Sequence, residues 1–274
     1  MGKTKDVSHQ ELMEVINSFD FGGKLEEVGI FGNGHINETY CAVFSTEAGQ
    51  KRYILQKMNK QIFKDPVGLM ENISGVTSWL KKKILENVGD AERETLNIVN
   101  DRAGAPYLVD KEGEYWRAYL FIEDATCFDQ VENDEDFYQS ALAFGNFQRL
   151  LADYPADTLH ETIPDFHNTV KRFANFKKAV EEDACGRAAD VQKEIQFVLE
   201  REQLAHTLVD LQDAGKLPLR VTHNDTKLNN IMIDNATHKG ICVIDLDTVM
   251  PGLSLNDFGD SIRFGASTAA EDEQ

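Results

Sequence analysis

Apolar residues recur at helical spacing near the start of the chain: Leu12, Val15, Ile16 and Phe19 follow a capping box made by Ser8 and Glu11, and Gly22-Gly23 ends the run. The pattern predicts an amphipathic opening helix. The period then shortens to two. EEVGIFGNGHINETYCAVFSTEAGQKRYILQKMN is rich in β-branched and aromatic residues and is interrupted by glycine-bearing turns, which predicts a three-stranded antiparallel meander. After Asp65-Pro66 the helical period returns in VGLMENISGVTSWLKKKI, and YLVDKEGEYWRAYLFIED reads as a hairpin around Glu112-Gly113. From about residue 134 the pattern predicts long helices, DEDFYQSALAFGNFQRLLAD and a second over roughly 166–214 that stops near Gly215 and Pro218. Within this half LPLRVTHNDTKLNNIMID and KGICVIDLDTVM predict two short strands, each running into a polar loop. Without repeats or a long linker, the expected architecture is an α+β protein of two packed lobes. These are a small antiparallel-sheet lobe over 1–123 and a mainly helical lobe over 124–274, with the boundary near 123–126.

Composition narrows the partners. A chain of 274 residues with 42% hydrophobic content can bury a substantial core. Its net charge of −19 and pI near 4.7 repel phosphate backbones and anionic lipid, so neither nucleic acid nor membrane is an expected partner. Cys41, Cys127, Cys185 and Cys242 have no CxxC spacing, and Cys41 and Cys242 fall in strand-like runs; all four are expected to be reduced and buried. The opening MGKTKDVSHQ has no apolar stretch, and no run approaches membrane-spanning length, which predicts a cytoplasmic protein. On that reading the sequons at Asn37, Asn72 and Asn235 are accidental.

The polar loops carry the candidate chemistry. Phosphoryl transfer asks for a loop over the phosphates, a cation on them, a residue that orients the acceptor hydroxyl, and metal ligands. Gly32-Asn33-Gly34, in a turn between strand-like runs, can bring backbone N–H groups to phosphate oxygens, and it also suits an ordinary hairpin turn. In YILQKMN, alternation puts Tyr53, Leu55 and Lys57 on one face, so Lys57 could reach a phosphate while Leu55 touches a base; an exposed edge lysine would look the same. Glu71, in the following helix, could hold that lysine or simply face solvent. His223-Asn224-Asp225-Thr226-Lys227-Leu228-Asn229-Asn230 is more specific. Its H-x-D-x-K-x-x-N pattern sets a carboxylate and an amide in one tight loop, close in type and spacing to the kinase catalytic loop. ICVIDLDTV ends four apolar residues at Asp245, a carboxylate placed to face that loop across a short hairpin as a magnesium ligand. Asp257-Phe258-Gly259 spells the metal-binding tripeptide of protein kinases. It follows a turn-rich connection rather than a strand, and is expected to start a helix capped by Asn256 or Asp257.

GNGHINETY, YILQKMN, LMENI, IPDFHNT, THNDTKLNNIM and VIDLDTVMPG…NDFGDSIRFG together resemble the bacterial N-acetylhexosamine 1-kinases, within the aminoglycoside phosphotransferase and choline kinase group. The resemblance runs from about residue 28 to 267 and implies a bilobal protein-kinase-like fold. It also implies ATP- and Mg2+-dependent phosphorylation of the anomeric hydroxyl of N-acetylglucosamine or N-acetylgalactosamine. By matching position it makes Asp225 the catalytic carboxylate, Asn230 and Asp245 the magnesium ligands, Gly32–Gly34 the phosphate loop and His35 an acceptor-sugar contact. Lys227 would sit near the transferred phosphate, and Asp257 would support the catalytic loop; Asp247 stays open between a supporting and a purely structural role. Members of that family continue beyond the point where this chain stops at STAAEDEQ, so the C-terminal part is expected to be truncated. Two alternatives remain: a kinase of another small alcohol such as an aminoglycoside or choline, or an inactive nucleotide-binding fragment. A monomer or a dimer would suit either.

Overall fold

The computed structural model describes residues 7–32, 36–130 and 133–266. The chain opens with helix α1 (His9–Ser18), whose capping box is complete: Ser8 Oγ accepts the Glu11 N–H at 3.3 Å and Glu11 Oε2 accepts the Ser8 N–H at 2.8 Å. Strands β1 (Lys24–Ile30), β2 (Glu38–Thr46) and β3 (Gly49–Lys57) form the meander that the period-two pattern predicts. Helix α2 (Pro66–Glu86) follows, with Asp65 as cap and Pro66 in the first turn, where a missing N–H costs nothing. Short strands β4 (Ile98–Val99) and β5 (Leu108–Val109) both pair with β6 (Tyr115–Leu120), which adds to β3 and completes a sheet ordered β1-β2-β3-β6-β4.

Beyond β7 (Ala125–Thr126) the fold is mainly helical: α3 (Asp134–Leu150), α4 (Thr169–Glu182), α5 (Gln192–Leu199) and α6 (Glu202–Asp213). The single helix expected over 166–214 is therefore three. Asp183, in the left-handed region at φ 36°, ends α4, and Gly186 at φ 64° turns the chain before α5 can begin. Four short strands then carry the polar loops: β8 (Arg220–Thr222), β9 (Ile231–Asp234), β10 (Gly240–Val243) and β11 (Met250–Gly252), ahead of α7 (Ser254–Gly265).

The sheet has two unlike faces. Tyr40, Ala42, Tyr53, Leu55, Trp116 and Ala118 point toward α1 and close a core with Leu12, Ile16 and Phe19. Ile54 and Tyr119 point the other way, to a larger core that runs through α2, α3 and the β9–β10 hairpin. Each fully buried aliphatic side chain in these cores is worth about 1.5–3 kcal/mol. Among the described residues no helix is long and apolar enough to cross a membrane. The four cysteines are free, but against the expectation of burial only Cys242 is buried; Cys41 and Cys127 are half-buried, and Cys185 lies exposed in the turn that interrupts the helices. Asn72, in one of the sequons, is buried with its amide engaged.

Candidate active site

Two nested antiparallel pairs build the site. β8 pairs with β11 and β9 with β10, so the loop leaving β8 and the turn leaving β10 are brought face to face. The backbone joins them directly: Ile244 N–H donates to the Asn230 carbonyl at 2.9 Å. This topology places Asp225 and Asn230 next to Asp245, although Asp245 lies twenty positions after Asp225 in the sequence.

The first loop is held from behind. His223 is fully buried, its ring edge-on to Phe144 and Phe147 with centroids 5.3 and 6.0 Å away. Its Nε2 donates to the Ile244 carbonyl at 2.9 Å, and its Nδ1 accepts the Asp225 N–H at 3.3 Å, which fixes the tautomer. Asn224 takes the left-handed conformation at φ 67° and donates from Nδ2 to the Thr248 carbonyl at 2.7 Å. Thr248 Oγ1 returns a bond to the His223 carbonyl at 2.6 Å. Asn230 Nδ2 donates to the Asp225 carbonyl at 2.8 Å and to Asp225 Oδ2 at 3.1 Å, while Lys227 Nζ stands 3.3 Å from Asp225 Oδ1. The carboxylate of Asp225 is thus aimed and charge-balanced, with part of its surface still open.

Asp245 also lies in the left-handed region, at φ 56°, a conformation an aspartate tolerates better than most residues and one that clusters at functional sites. Its side chain stays accessible from the cleft although protein surrounds it on most sides, and among the described residues no donor satisfies it. Burial and the neighbouring Asp247 carboxylate push it up to about 6.

Asp257 is a different kind of carboxylate. It is 4% exposed and accepts the His223 N–H at 2.9 Å, the Asn224 N–H at 2.8 Å and the Gln148 side-chain amide. Burial raises its pKa against the pull of those amide donors. One turn on, Asp260 accepts the Thr226 N–H at 2.8 Å. The cap expected at Asn256 or Asp257 is not formed; α7 begins at Ser254, and Asp257 in its first turn reaches the polar loop instead.

The sheet side corrects the reading of β3. Leu55 and Lys57 do share a face, but it is the α1 face: Leu55 is 0% exposed inside that core and cannot touch a base. Lys57 lies opposite Glu38 and Trp116 on the same face, 4.0 Å from Glu38. Glu71 does not hold it; it pairs with His160 Nε2 at 2.6 Å. The cleft face carries Thr39, Gln56 and Arg117, in register on three adjacent strands. Gly32 adopts φ 75°, while Asn33, Gly34 and His35 lie outside the described residues.

Sequence reasoning missed Arg117, Asn37, Asp260 and Gln148. Arg117 had a signal, since it interrupts YWRAYL, a run buried on both faces where a cation needs a partner. That partner is Asp247, which also accepts from Asn37 Nδ2 at 2.7 Å. Burial, the largest single influence, lowers the Arg117 pKa, but the Asp247 charge and hydrogen bond together with the Tyr119 and Asp245 charges outweigh it and the net direction is up.

Among the described residues no group of three or more His, Cys, Asp or Glu side chains could hold a metal by itself. Asn230, whose Nδ2 is spent on Asp225, keeps Oδ1 for another partner, and Asp245 adds an unsatisfied carboxylate. Two such oxygens suit Mg2+, which takes one or two protein ligands and completes its shell with phosphate oxygens and water.

A family model described as a phosphotransferase enzyme family matches residues 30–274. Among solved structures, an aminoglycoside phosphotransferase from Alicyclobacillus acidocaldarius aligns over 96% of this chain and 72% of its own, with TM-score 0.61 and 12% identity. A spectinomycin phosphotransferase solved with ADP and spectinomycin aligns over 98% and 82%, with TM-score 0.55 and 16% identity. A microcompartment-associated aminopropanol kinase aligns over 93% and 74%, with TM-score 0.55 and 13% identity. At these identities the likeness concerns the fold, which is the bilobal kinase-like one.

Proposed function

Because this chain belongs to the phosphotransferase enzyme family, we propose that it transfers the γ-phosphoryl group of ATP to the anomeric hydroxyl of an N-acetylhexosamine. The observation that carries the reading is the convergence of Asp225, Asn230 and Asp245 across the nested strand pairs. The choice of acceptor rests on the motif resemblance, above all THNDTKLNNIM and VIDLDTVMPG.

Asp225, aimed by Asn230, accepts a hydrogen bond from the acceptor hydroxyl and takes its proton as the sugar oxygen bonds to phosphorus. The bond from phosphorus to the bridging oxygen breaks, and ADP leaves. Lys227, beside Asp225, offsets negative charge on the transferred group. Asn230 Oδ1 and the Asp245 carboxylate would hold Mg2+. Bound there, the ion supplies charge neutralisation on the phosphate oxygens. The backbone and side-chain bonds behind the loop keep these groups in one geometry, which is where positioning contributes most in phosphoryl transfer.

A second reading keeps the chemistry and changes the acceptor, and it is favoured by the fold likeness to enzymes named for aminoglycosides and aminopropanol. One assay separates the two. ADP release is followed with N-acetylglucosamine, N-acetylgalactosamine, their methyl glycosides, kanamycin, spectinomycin, choline and aminopropanol. Turnover with the free N-acetylhexosamines and none with the methyl glycosides supports the sugar 1-kinase. Turnover with an amino alcohol or aminoglycoside alone overturns it.

A further inference from the structure

We propose that Arg117 and Asn37 are positioning residues that grip the two oxygens of Asp247 and so fix the turn bearing Asp245 against the sheet lobe. The idea rests on the reading of this cleft as a magnesium–nucleotide site.

Asp247 lies two residues after Asp245, inside the tight turn Leu246–Thr248, and is 4% exposed. Its Oδ1 is bonded by Arg117 Nη1 and its Oδ2 by Asn37 Nδ2 at 2.7 Å. Both donors come from the sheet lobe, 130 and 210 residues away along the chain. Arg117 is 2% exposed, and its Nε donates to Gln56 Oε1 at 2.9 Å; Gln56 Nε2 in turn donates to Thr39 Oγ1 at 3.1 Å. The cation is therefore locked by a ladder of polar side chains across β2, β3 and β6. Asn37 is locked as well, since its Oδ1 accepts the Asn59 N–H at 3.0 Å. From α2, Asn72 Nδ2 donates to the Val249 carbonyl at 2.9 Å, which holds the end of the same turn.

A buried ion pair is poor evidence for stability, because its desolvation cost is comparable to its attraction. A pair whose carboxylate is held at both oxygens and whose guanidinium is itself anchored at Nε, placed beside an unsatisfied carboxylate, instead fixes where that carboxylate stands. Neither donor bonds to the Asp245 side chain: Asn37 acts through the backbone of the turn, and Arg117 acts through that backbone and through its charge. Arg117, the buried cation on the cleft face of this sheet, thus comes from β6 and serves Asp247, which is not the phosphate contact sought in Lys57.

The test is a mutant cycle with Arg117→Met, Asp247→Leu and the double variant, together with Asn37→Ala. Melting temperature, ADP affinity in the presence of Mg2+, and hydrogen exchange of amides 244–249 are measured for each. Each single member of the pair leaves a charge buried without its partner and should lose several degrees. The double variant should regain most of that loss yet bind Mg–ADP at least about tenfold more weakly, in the range for partners that orient a metal ligand. If it recovers both stability and affinity, the pair is structural glue and the proposal is overturned. Asn37→Ala keeps the ion pair, so it should lose less melting temperature than either single member of the pair while its 244–249 amides exchange faster; unchanged exchange and affinity overturn the proposal even if the double variant fails to fold. A wild type that binds no Mg–ADP refutes the nucleotide site, and exchange at 244–249 still decides the grip.

Discussion

Asp245 and Asp257 stand in similar local company, IDLD and NDFGD, and end in opposite environments. Asp257 is buried and receives two backbone amides and the Gln148 side chain, with Asp260 beside it receiving Thr226. Asp245 receives no donor among the described residues and faces a second carboxylate. The contrast teaches that a carboxylate's role follows from the donors the fold delivers to it, and not from the tripeptide around it. A carboxylate that already holds two amides would have to surrender them to take a cation. One that is desolvated, repelled and unsatisfied gains from a cation.

Four changes would break or sharpen that contrast. Asp225→Asn removes the group both aspartates serve, one as neighbour and one as brace. Turnover should fall by about 10² to 10⁴ while ATP affinity stays within a few-fold, and a near-normal rate in steady-state kinetics would remove Asp225 from its role. Asp245→Asn should weaken Mg–ADP by at least about 100-fold, more than a change in an outer partner gives, as read by titrating Mg2+ at fixed nucleotide.

The same variant has a pH signature. A carboxyl raised from 3.8 to about 6 holds an extra proton in the folded state between those values, so the metal-free protein loses stability as pH rises through that window. With a chelator present, Asp245→Asn should therefore melt higher than wild type at pH 7 and alike below about pH 4. The gain should be modest, because the cleft admits water.

Asp257→Ala strands the His223 and Asn224 amides, and should cost roughly 2–6 kcal/mol in chemical denaturation, at about 1–3 for each of the two orphaned buried donors. Its folded fraction should keep the magnesium response; loss of that response with Asp245→Asn unaffected would reverse the two assignments. Lys57→Ala should have the smallest effect on the nucleotide, less than about twofold on ADP affinity, because its side chain lies on the α1 face beside Glu38. Calorimetry showing a larger loss of affinity would return Lys57 to the phosphates.

Much of this was legible in the chain. The Ser8–Glu11 capping box, the period-two meander and the Asp65-Pro66 helix start are local signals, and each formed where its spacing predicts. Asp225 and Asn230 could be read as one unit because a single loop holds both. The long helix over 166–214 failed for a local reason underweighted in the pattern: Asp183 and Gly186 both take left-handed backbone, which stops a helix whatever the apolar period continues to say.

What the sequence by itself determined about this protein is the order and type of its elements, the alternation along each strand and the spacing within each polar loop. All of these follow from interactions between residues a few positions apart. Only the tertiary structure decided that Leu55 and Lys57 face α1 while Gln56 and Arg117 face the cleft, that Asp247 is gripped by Arg117 and Asn37, and that Asp257 braces a loop 33 and 34 residues upstream instead of capping its own helix. Alternation says that two faces differ, but which one meets the core and which the cleft depends on what packs across the sheet. Those partners arrive from distant parts of the chain, through contacts that local periodicity does not encode.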